Sequence, residues 1–360
     1  MIFLTIIMVV LAFSLLVIIH EFGHFIAARR NGVKVEEFGI GFPPKIFGYQ
    51  GKKTLYTINL LPLGGFVRLR GEVGSDKAKD SFASKSTWVK TKILLAGVTM
   101  NIALAYGIIT LLCATGLPPV YFADAPSFGS ITPVKVEQPN LAIFQIAKDS
   151  PAEKSGLKSG QIIVSIDGIK LSDNEQLREY TKSHKGKTVS LEVREGSETK
   201  TYSILLGDNE QTGVLGVAAV SQQMSRYVWW QAPIAALGIM LKLVVMTLGA
   251  FGGLIVSLFT KAKVTEGVTG PIGITVIFGE VVKFGWQYVL ALIASISLSL
   301  GVINAMPIPA LDGGRLMLVL LNRRNVHVSH KVENAMHLVG FVALIALMIF
   351  VAVSDISRFR

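Results

Sequence analysis

The chain has 360 residues, 51% of them hydrophobic and 16% charged, with a mean hydropathy of +0.53, which excludes an ordinary soluble domain. Its net charge of +11 invites nucleic acid as a partner, but the distribution argues against that: residues 25–92 carry thirteen Lys/Arg against five Asp/Glu, and residues 118–231 carry twelve against thirteen. A basic stretch next to apolar runs is the positive-inside signature of a cytoplasmic loop.

Residues 2–19 are apolar apart from Thr5 and Ser14, which predicts a transmembrane helix over residues 1–26. No basic residue precedes it, so its N-terminus is expected outside, and no small-residue cleavage site follows, which argues against a cleaved leader. At its end stands His20-Glu21-Phe22-Gly23-His24. Two histidines four residues apart share one helix face. Both imidazoles can then reach one tetrahedral zinc while Glu21 reaches a water on the metal. Ionisable groups at membrane depth are costly and mark function. With six histidines in the chain, a chance cluster of this pattern is rare.

Residues 27–91 are the basic loop, expected to hold a small membrane-associated β region. Gly39-Ile40-Gly41 beside Phe42 reads either as a plain turn or as glycines at positive φ in a re-entrant loop. Residues 54–61, rich in β-formers and ended by Pro62, predict an edge strand carrying Tyr56, Ile58 and Leu60. A second transmembrane helix over 92–117 contains Asn101 and the single Cys113, so there is neither a disulfide framework nor a thiolate zinc site. A linker over 118–130 leads to a region of soluble character and mixed charge, 131–219. There, residues 149–168 (DSPAEKSGLKSGQIIVSIDG) read as a capped short helix, a glycine turn and a strand alternating Ile162, Val164 and Ile166. The pattern resembles protease-associated PDZ domains, with a generic small α/β domain as the alternative. PDZ grooves take extended peptides by strand addition, and this one either does so or only blocks bulky substrates.

Residues 286–306 predict a third transmembrane helix with polar interruptions at Ser295, Ser297, Ser299 and Asn304, followed by Pro307-Ile308-Pro309-Ala310-Leu311-Asp312-Gly313-Gly314. The prolines end the helix and the glycines allow tight backbone after Asp312. A catalytic zinc takes a third protein ligand plus water, and Asp312 is the polar group at the end of another apolar helix. An aspartate there is otherwise a cap or turn residue. For Asp312 to reach the depth of His24, an even number of crossings must separate them, and residues 92–117 and 286–306 supply two. The apolar stretch 234–260, which hydropathy alone marks as a span, is therefore expected to be amphipathic or re-entrant within a segment 234–270. The cluster of Gly249, Gly252 and Gly253 would allow a bend, and Tyr227, Trp229 and Trp230 suit the interface. A fourth transmembrane helix is expected over 335–354, and Arg315, Arg323, Arg324 and Lys331 place the loop before it inside.

HEFGH after a first span and NAMPIPALDGG after a later one resemble the site-2 protease family of intramembrane zinc metalloproteases. The resemblance continues through Gly39-Ile40-Gly41-Phe42, residues 58–68 (INLLPLGGFVR), Gly97, Met100-Asn101 and Gly270-Pro271-Ile272-Gly273. The PDZ-type insert is similar to that of the bacterial RseP-like branch. Val98 stands where a proline is common and Ser299 where relatives often carry asparagine, departures that bear on substrate handling rather than on metal. The resemblance implies a mainly α polytopic membrane protein of about four transmembrane helices, with a membrane-associated β region and an inserted α/β PDZ domain. It implies one Zn2+ per chain on His20, His24 and Asp312, with Glu21 as the catalytic acid/base. The implied activity is cleavage of transmembrane segments of single-span proteins, anti-sigma factors and remnant signal peptides, in regulated intramembrane proteolysis. That would take place in the bacterial inner membrane, with the PDZ domain outside and the active site near the cytoplasmic side. A helical substrate must be unwound before it is cut. The residues expected to hold it are Tyr56, Ile58 and Leu60 with Gly39 and Gly41, and Asn101 and Asn304, for which interhelical hydrogen bonding is the alternative. The implied partners are such substrates, the bilayer and a peptide at the PDZ groove, not nucleic acid. A zinc-bound scaffold or a metal transporter would also fit an apolar chain with a metal site, but neither needs an acid/base such as Glu21 between two ligands.

Overall fold

The structure, a computed structural model, describes residues 2–72, 76, 78–120, 125–135, 141–171, 174–195, 198–208, 214–221, 224–261, 268–323 and 330–359; Arg324 lies outside them. The chain divides into two compact units, one of Met1–Ile108, Met240–Phe278 and Leu292–Arg360, the other of Ile109–Ile239 and Gly279–Ala291.

In the first unit α1 (Ile2–Arg30) is an unbroken helix of 29 residues. At 1.5 Å per residue it is about 44 Å long, more than the roughly 30 Å of a hydrocarbon core. A Cβ on Gly23 would lie 2.4 Å from the Ala96 carbonyl oxygen, so α1 packs backbone to backbone on α2 (Thr87–Thr115) at the level of the histidines. Phe25, Ala28, Val33, Leu69, Phe82 and Ile93 form a buried cluster below that contact. It ties the ends of the two helices to β1 (Val35–Gln50) and β2 (Leu55–Leu69), which lie between them in the chain.

β1 and β2 are more than a hairpin. Phe38 pairs with both Tyr56 and Val67, Gly39 with both Thr57 and Phe66, and Ile40 with both Ile58 and Gly65, while Phe47, Gly48 and Tyr49 pair with Ile58, Thr57 and Tyr56. The result is four segments in the order 45–50, 55–59, 37–40, 65–69, in which 37–40 runs parallel to 55–58 and antiparallel to 65–69, and 45–50 runs antiparallel to 55–59. The expected edge strand at 54–61 is thereby corrected: Tyr56 and Ile58 sit on an interior segment, and the outer segments are 45–50 and 65–69, the latter with its Leu69 N–H donated to the Glu72 carboxylate at 3.3 Å. Pro43-Pro44 interrupts the ladder within β1, so residues 45–50 turn back along the outer side of 55–59. Residues 62–64 run beside the middle of α1, where the Ser14 hydroxyl donates to the Pro62 carbonyl and a Cβ on Gly64 would come within 3.1 Å of Val17. Phe42, Ile46, Phe47, Ile58, Leu60 and Leu61 are exposed, an apolar surface suited to lipid.

The second unit is built on a five-stranded antiparallel sheet in the order β7-β6-β5-β4-β8. In chain order its elements are β3 (Val134–Lys135), β4 (Leu141–Ile146), α3 (Pro151–Lys154), β5 (Ile162–Ile166), α4 (Asn174–Ser183), β6 (Thr188–Glu195), β7 (Glu198–Leu205), β8 (Val217–Ser221) and β9 (Ser225–Arg226), with β3 pairing β9. α3 starts at Pro151 under a Ser150 hydroxyl that accepts the Glu153 N–H at 3.2 Å, and Gly156 (φ +80) and Gly160 (φ +89) make the turn. β5 departs from the expected alternation. Ile163 and Ile166 are buried instead of Ile162 and Val164, because a bulge between Ile163 and Ser165 shifts the register against β6.

The chain continues through α5 (Ala232–Lys261), α6 (Pro271–Val281), a 3-10 turn at Val282–Phe284, α7 (Trp286–Ala305), α8 (Asp312–Arg323) and α9 (His330–Phe359). Among the described residues five helices are long and apolar enough to cross a membrane: Thr5–Arg30, Thr87–Thr115, Ala232–Leu258, Trp286–Ala305 and Val332–Ser357. The additional one beyond the expected four is α5. It runs unbroken past Gly249, Gly252 and Gly253, so the bend a re-entrant segment needs is not there. The Gly270-Pro271-Ile272-Gly273 motif opens α6, and Asp355 of α9 caps it, accepting the N–H of Gly270 at 3.2 Å and of Gly273 at 2.9 Å.

Candidate metal centre

α1, α2 and the first residue of α8 converge on one point. His20 and His24, one turn apart, hold their Nε2 atoms 3.2 Å from each other; Asp312 Oδ2 lies 2.9 Å from the first and 3.2 Å from the second. A tetrahedral zinc with bonds of roughly 2.0–2.1 Å spaces its ligand atoms roughly 3.3 Å apart, so the triangle has the size that ion requires. Two imidazoles and a carboxylate are also a donor set that suits zinc. Among the described residues this is the one group of three His, Cys, Asp or Glu side chains close enough to share an ion. Both histidines are buried, while the Asp312 side chain remains 17% exposed.

One face of α2 forms the back wall, through Ile93, Gly97 and Asn101 at successive turns. His24 Nδ1 donates to the Ile93 carbonyl at 2.8 Å, which leaves Nε2 as the nitrogen with a free lone pair. Gly97 supplies room. A Cβ there would lie 2.4 Å from His24 Nε2 and 2.7 Å from His20 Nε2, in the space beside both donors. Asn101 is placed otherwise than a substrate contact requires: it is 1% exposed, with its amide nitrogen 3.4 Å from His20 Nδ1. Its backbone carbonyl accepts a hydrogen bond from Ser297 of α7 at 2.9 Å, so an interhelical bond is present through the main chain.

Asp312 is delivered by a tight turn. Ala310 adopts φ +78, and its N–H donates to His337 Nδ1 of α9 at 3.0 Å. A Cβ on Gly313 would stand 2.3 Å from the carbonyl oxygens of Ala305 and Met306, and one on Gly340 2.5 Å from that of Pro309, so only glycine permits this packing. At the start of α8 the carboxylate also faces the positive end of a helix dipole.

Glu21 is half-buried and shares a cavity of about 390 Å³ with His24, Asp312, Phe66, Arg68, Glu72 and Arg315. An ion pair between Arg315 and Glu72 joins α8 to the end of the β region at its rim. Glu37 is engaged with Arg68 and Thr57 and stands apart from the triangle. The other expected substrate contacts are distributed differently. Tyr56 and Ile58 lie two strands from the cavity-lining segment 65–69, roughly 10 Å at the usual strand spacing, and line a separate apolar cavity with Phe22, Phe25 and Phe38. Leu60 is exposed beyond that segment. Gly39 and Gly41 are buried close-approach positions, where a Cβ would come within 2.4 Å of the Phe66 ring and of the Leu61 carbonyl oxygen respectively. Asn304 is half-buried near the end of α7.

Sequence reasoning misses Gly97 as the source of space, although its four-residue spacing from Ile93 and Asn101 is a readable signal. Arg315 stands one turn after Asp312, but its pairing with Glu72 joins residues far apart in the chain and leaves no local trace.

The profile of Peptidase family M50 matches residues 8–347. A Fusobacterium nucleatum protein is 30% identical over 359 residues, 99% of each chain. Zinc metalloprotease RasP of Oceanobacillus iheyensis is 28% identical over 439 residues, 98% of this chain and 99% of the relative. Among solved structures, the PDZ domain of an SdrC-like protein from Listeria monocytogenes is 26% identical, covering 24% of this chain and 94% of that one with a TM-score of 0.22.

Proposed function

The chain belongs to peptidase family M50 and is a zinc metalloprotease of a bacterial membrane, and on that premise we propose that it cuts peptide bonds inside the transmembrane segments of single-span membrane proteins. One observation carries the reading: His20 Nε2, His24 Nε2 and Asp312 Oδ2 meet within 3.2 Å of one another, the histidines on the apolar α1 and the aspartate at the start of α8, with Glu21 on the cavity that His24 and Asp312 line. His20, His24 and Asp312 would hold one zinc per chain. Bound there, zinc supplies Lewis-acid polarisation of the scissile carbonyl and activation of water. Glu21 takes the proton of the attacking water and passes it to the leaving amine.

A transmembrane helix satisfies its peptide groups internally, and unwinding it in apolar surroundings exposes donors and acceptors that need partners. We assign that role to the outer edge at 65–68, whose Phe66, Val67 and Arg68 line the cavity, in place of 54–61. Asn304 is the side chain that remains for substrate. The basic excess over 25–92 supports an active site toward the cytoplasm and a PDZ-like domain outside. On that topology α5 does not cross. Asp312 must reach the depth of His24, and α6, with 11 residues or about 16 Å, is too short to return across a core of roughly 30 Å. Anti-sigma factors and remnant signal peptides are the substrate classes, cut in regulated intramembrane proteolysis, with the PDZ-like domain engaging a peptide or excluding bulky ectodomains. The test is to reconstitute the protein with a single-span substrate in vesicles and map the cut by mass spectrometry. A cut within the apolar segment is expected; cuts confined to the soluble flanks would overturn the reading.

A further inference from the structure

The outer hydrogen bonds of the two histidines are unequal. His24 Nδ1 has the Ile93 carbonyl, an acceptor, at 2.8 Å. His20 Nδ1 faces the Asn101 side-chain nitrogen, a donor, at 3.4 Å, while Asn101 Oδ1 is buried with no hydrogen-bond partner. When His20 Nε2 gives its lone pair to a metal, the one proton of the neutral ring must sit on Nδ1. Two donors would then oppose each other in a site where Asn101 is 1% exposed and no water can intervene. A half-turn about Cβ–Cγ exchanges the amide oxygen and nitrogen, which have almost the same size. It brings Oδ1 opposite Nδ1 and gives it the partner it lacks.

We propose that Asn101 is a positioning residue for His20: its side-chain oxygen accepts the Nδ1 proton and so fixes Nε2 as the nitrogen offered to zinc. The inference rests on the zinc reading of the triangle. Ile93 and Asn101, two turns apart on one face of α2, then perform the same task for the two histidines, one through its main chain and one through its side chain, on either side of the space left by Gly97. The Ser297 hydroxyl holds the Asn101 backbone at 2.9 Å and so fixes the height of the amide beside His20. Ile93 acts through a carbonyl that no substitution removes. At 101 the acceptor depends on the side chain alone.

The experiment compares wild type with Asn101→Leu and Asn101→Asp, all purified full-length in detergent. Zinc affinity is measured by chelator competition, the electronic spectrum is recorded after cobalt loading, and thermal unfolding is followed on the metal-stripped proteins. Asn101→Leu fills the volume without an acceptor. It should weaken zinc binding by roughly ten- to a hundredfold and alter the cobalt spectrum, with the metal-free unfolding midpoint unchanged. Asn101→Asp keeps an acceptor and should restore affinity to within about threefold of wild type. Zinc binding by Asn101→Leu as tight as wild type overturns the proposal, as does an Asp variant no better than the Leu variant. A loss of affinity matched by an equal fall in metal-free stability also overturns it, since that is the behaviour of a packing residue. Absence of zinc binding by the wild type would overturn the metal reading itself, a result distinct from all of these.

Discussion

Gly97→Ala adds one carbon to the chain, and the structure dictates where it goes. The new Cβ would lie 2.4 Å from His24 Nε2, 2.7 Å from His20 Nε2 and 2.8 Å from His20 Cε1. Ordinary contacts between such atoms are about 3.5 Å, so each imidazole would have to retreat by roughly 1 Å. Metal–ligand distances tolerate roughly 0.2 Å, so the retreat takes both nitrogens out of bonding range. Separating α1 from α2 instead would break the backbone contact at Gly23 and Ala96 and open the buried cluster around Phe25 and Ile93. The expected loss in zinc affinity is on the order of a thousandfold, about 4 kcal/mol. The assay is zinc content and chelator competition on the purified variant, with Gly107→Ala as control. Gly107 is on the same helix with nothing within 4 Å of its added Cβ, and alanine there should be neutral or stabilise by up to about 1 kcal/mol. Zinc near one per chain in Gly97→Ala would refute the placement of the metal between these helices.

Asp312→Ala should lower zinc occupancy and proteolysis together, because two imidazoles leave the ion short of a ligand; unchanged zinc binding would point to another acid. Asp355→Ala strips the cap from α6 and leaves the N–H groups of Gly270 and Gly273 buried without an acceptor, a cost of about 1–3 kcal/mol per group, readable as a lower unfolding midpoint. Topology is tested with single cysteines at Lys52, Lys200 and Lys261 in a background lacking Cys113, treated with an impermeant thiol reagent outside intact cells. Lys200 and Lys261 positions should label and Lys52 should not, whereas protection at Lys261 would mean that α5 crosses.

His20, His24 and Asp312, which the structure brings into one triangle, and Glu21, which shares a cavity with two of them, are legible in the sequence because each follows a local rule. The histidines are spaced by a helical turn, and the aspartate follows a helix that two prolines end before two glycines. The edge of the β region is not legible, because it depends on residues 45–50 folding back past Pro43-Pro44 to cover 55–59, a pairing that strand propensity does not encode. The bulge in β5 moves Ile163 into the core for a similar reason: it answers to β6, about thirty residues on. In α5 the glycine cluster suggests a break, yet the helix continues through it without interruption. Asn101 reads as a polar group available to substrate until the neighbouring helix places His20 against it.

Whether this chain cuts peptide bonds with Glu21 as its proton acceptor is decided by cleavage by Glu21→Gln. Glu21 lines the cavity without belonging to the ligand triangle, so the amide should spare the metal and remove only the proton acceptor. With purified enzyme and a single-span substrate in vesicles, zinc near one per chain and cleavage slowed by about a thousandfold or more are expected. A Glu21→Gln protein that holds zinc and still cuts at a rate comparable to wild type would contradict this role for Glu21.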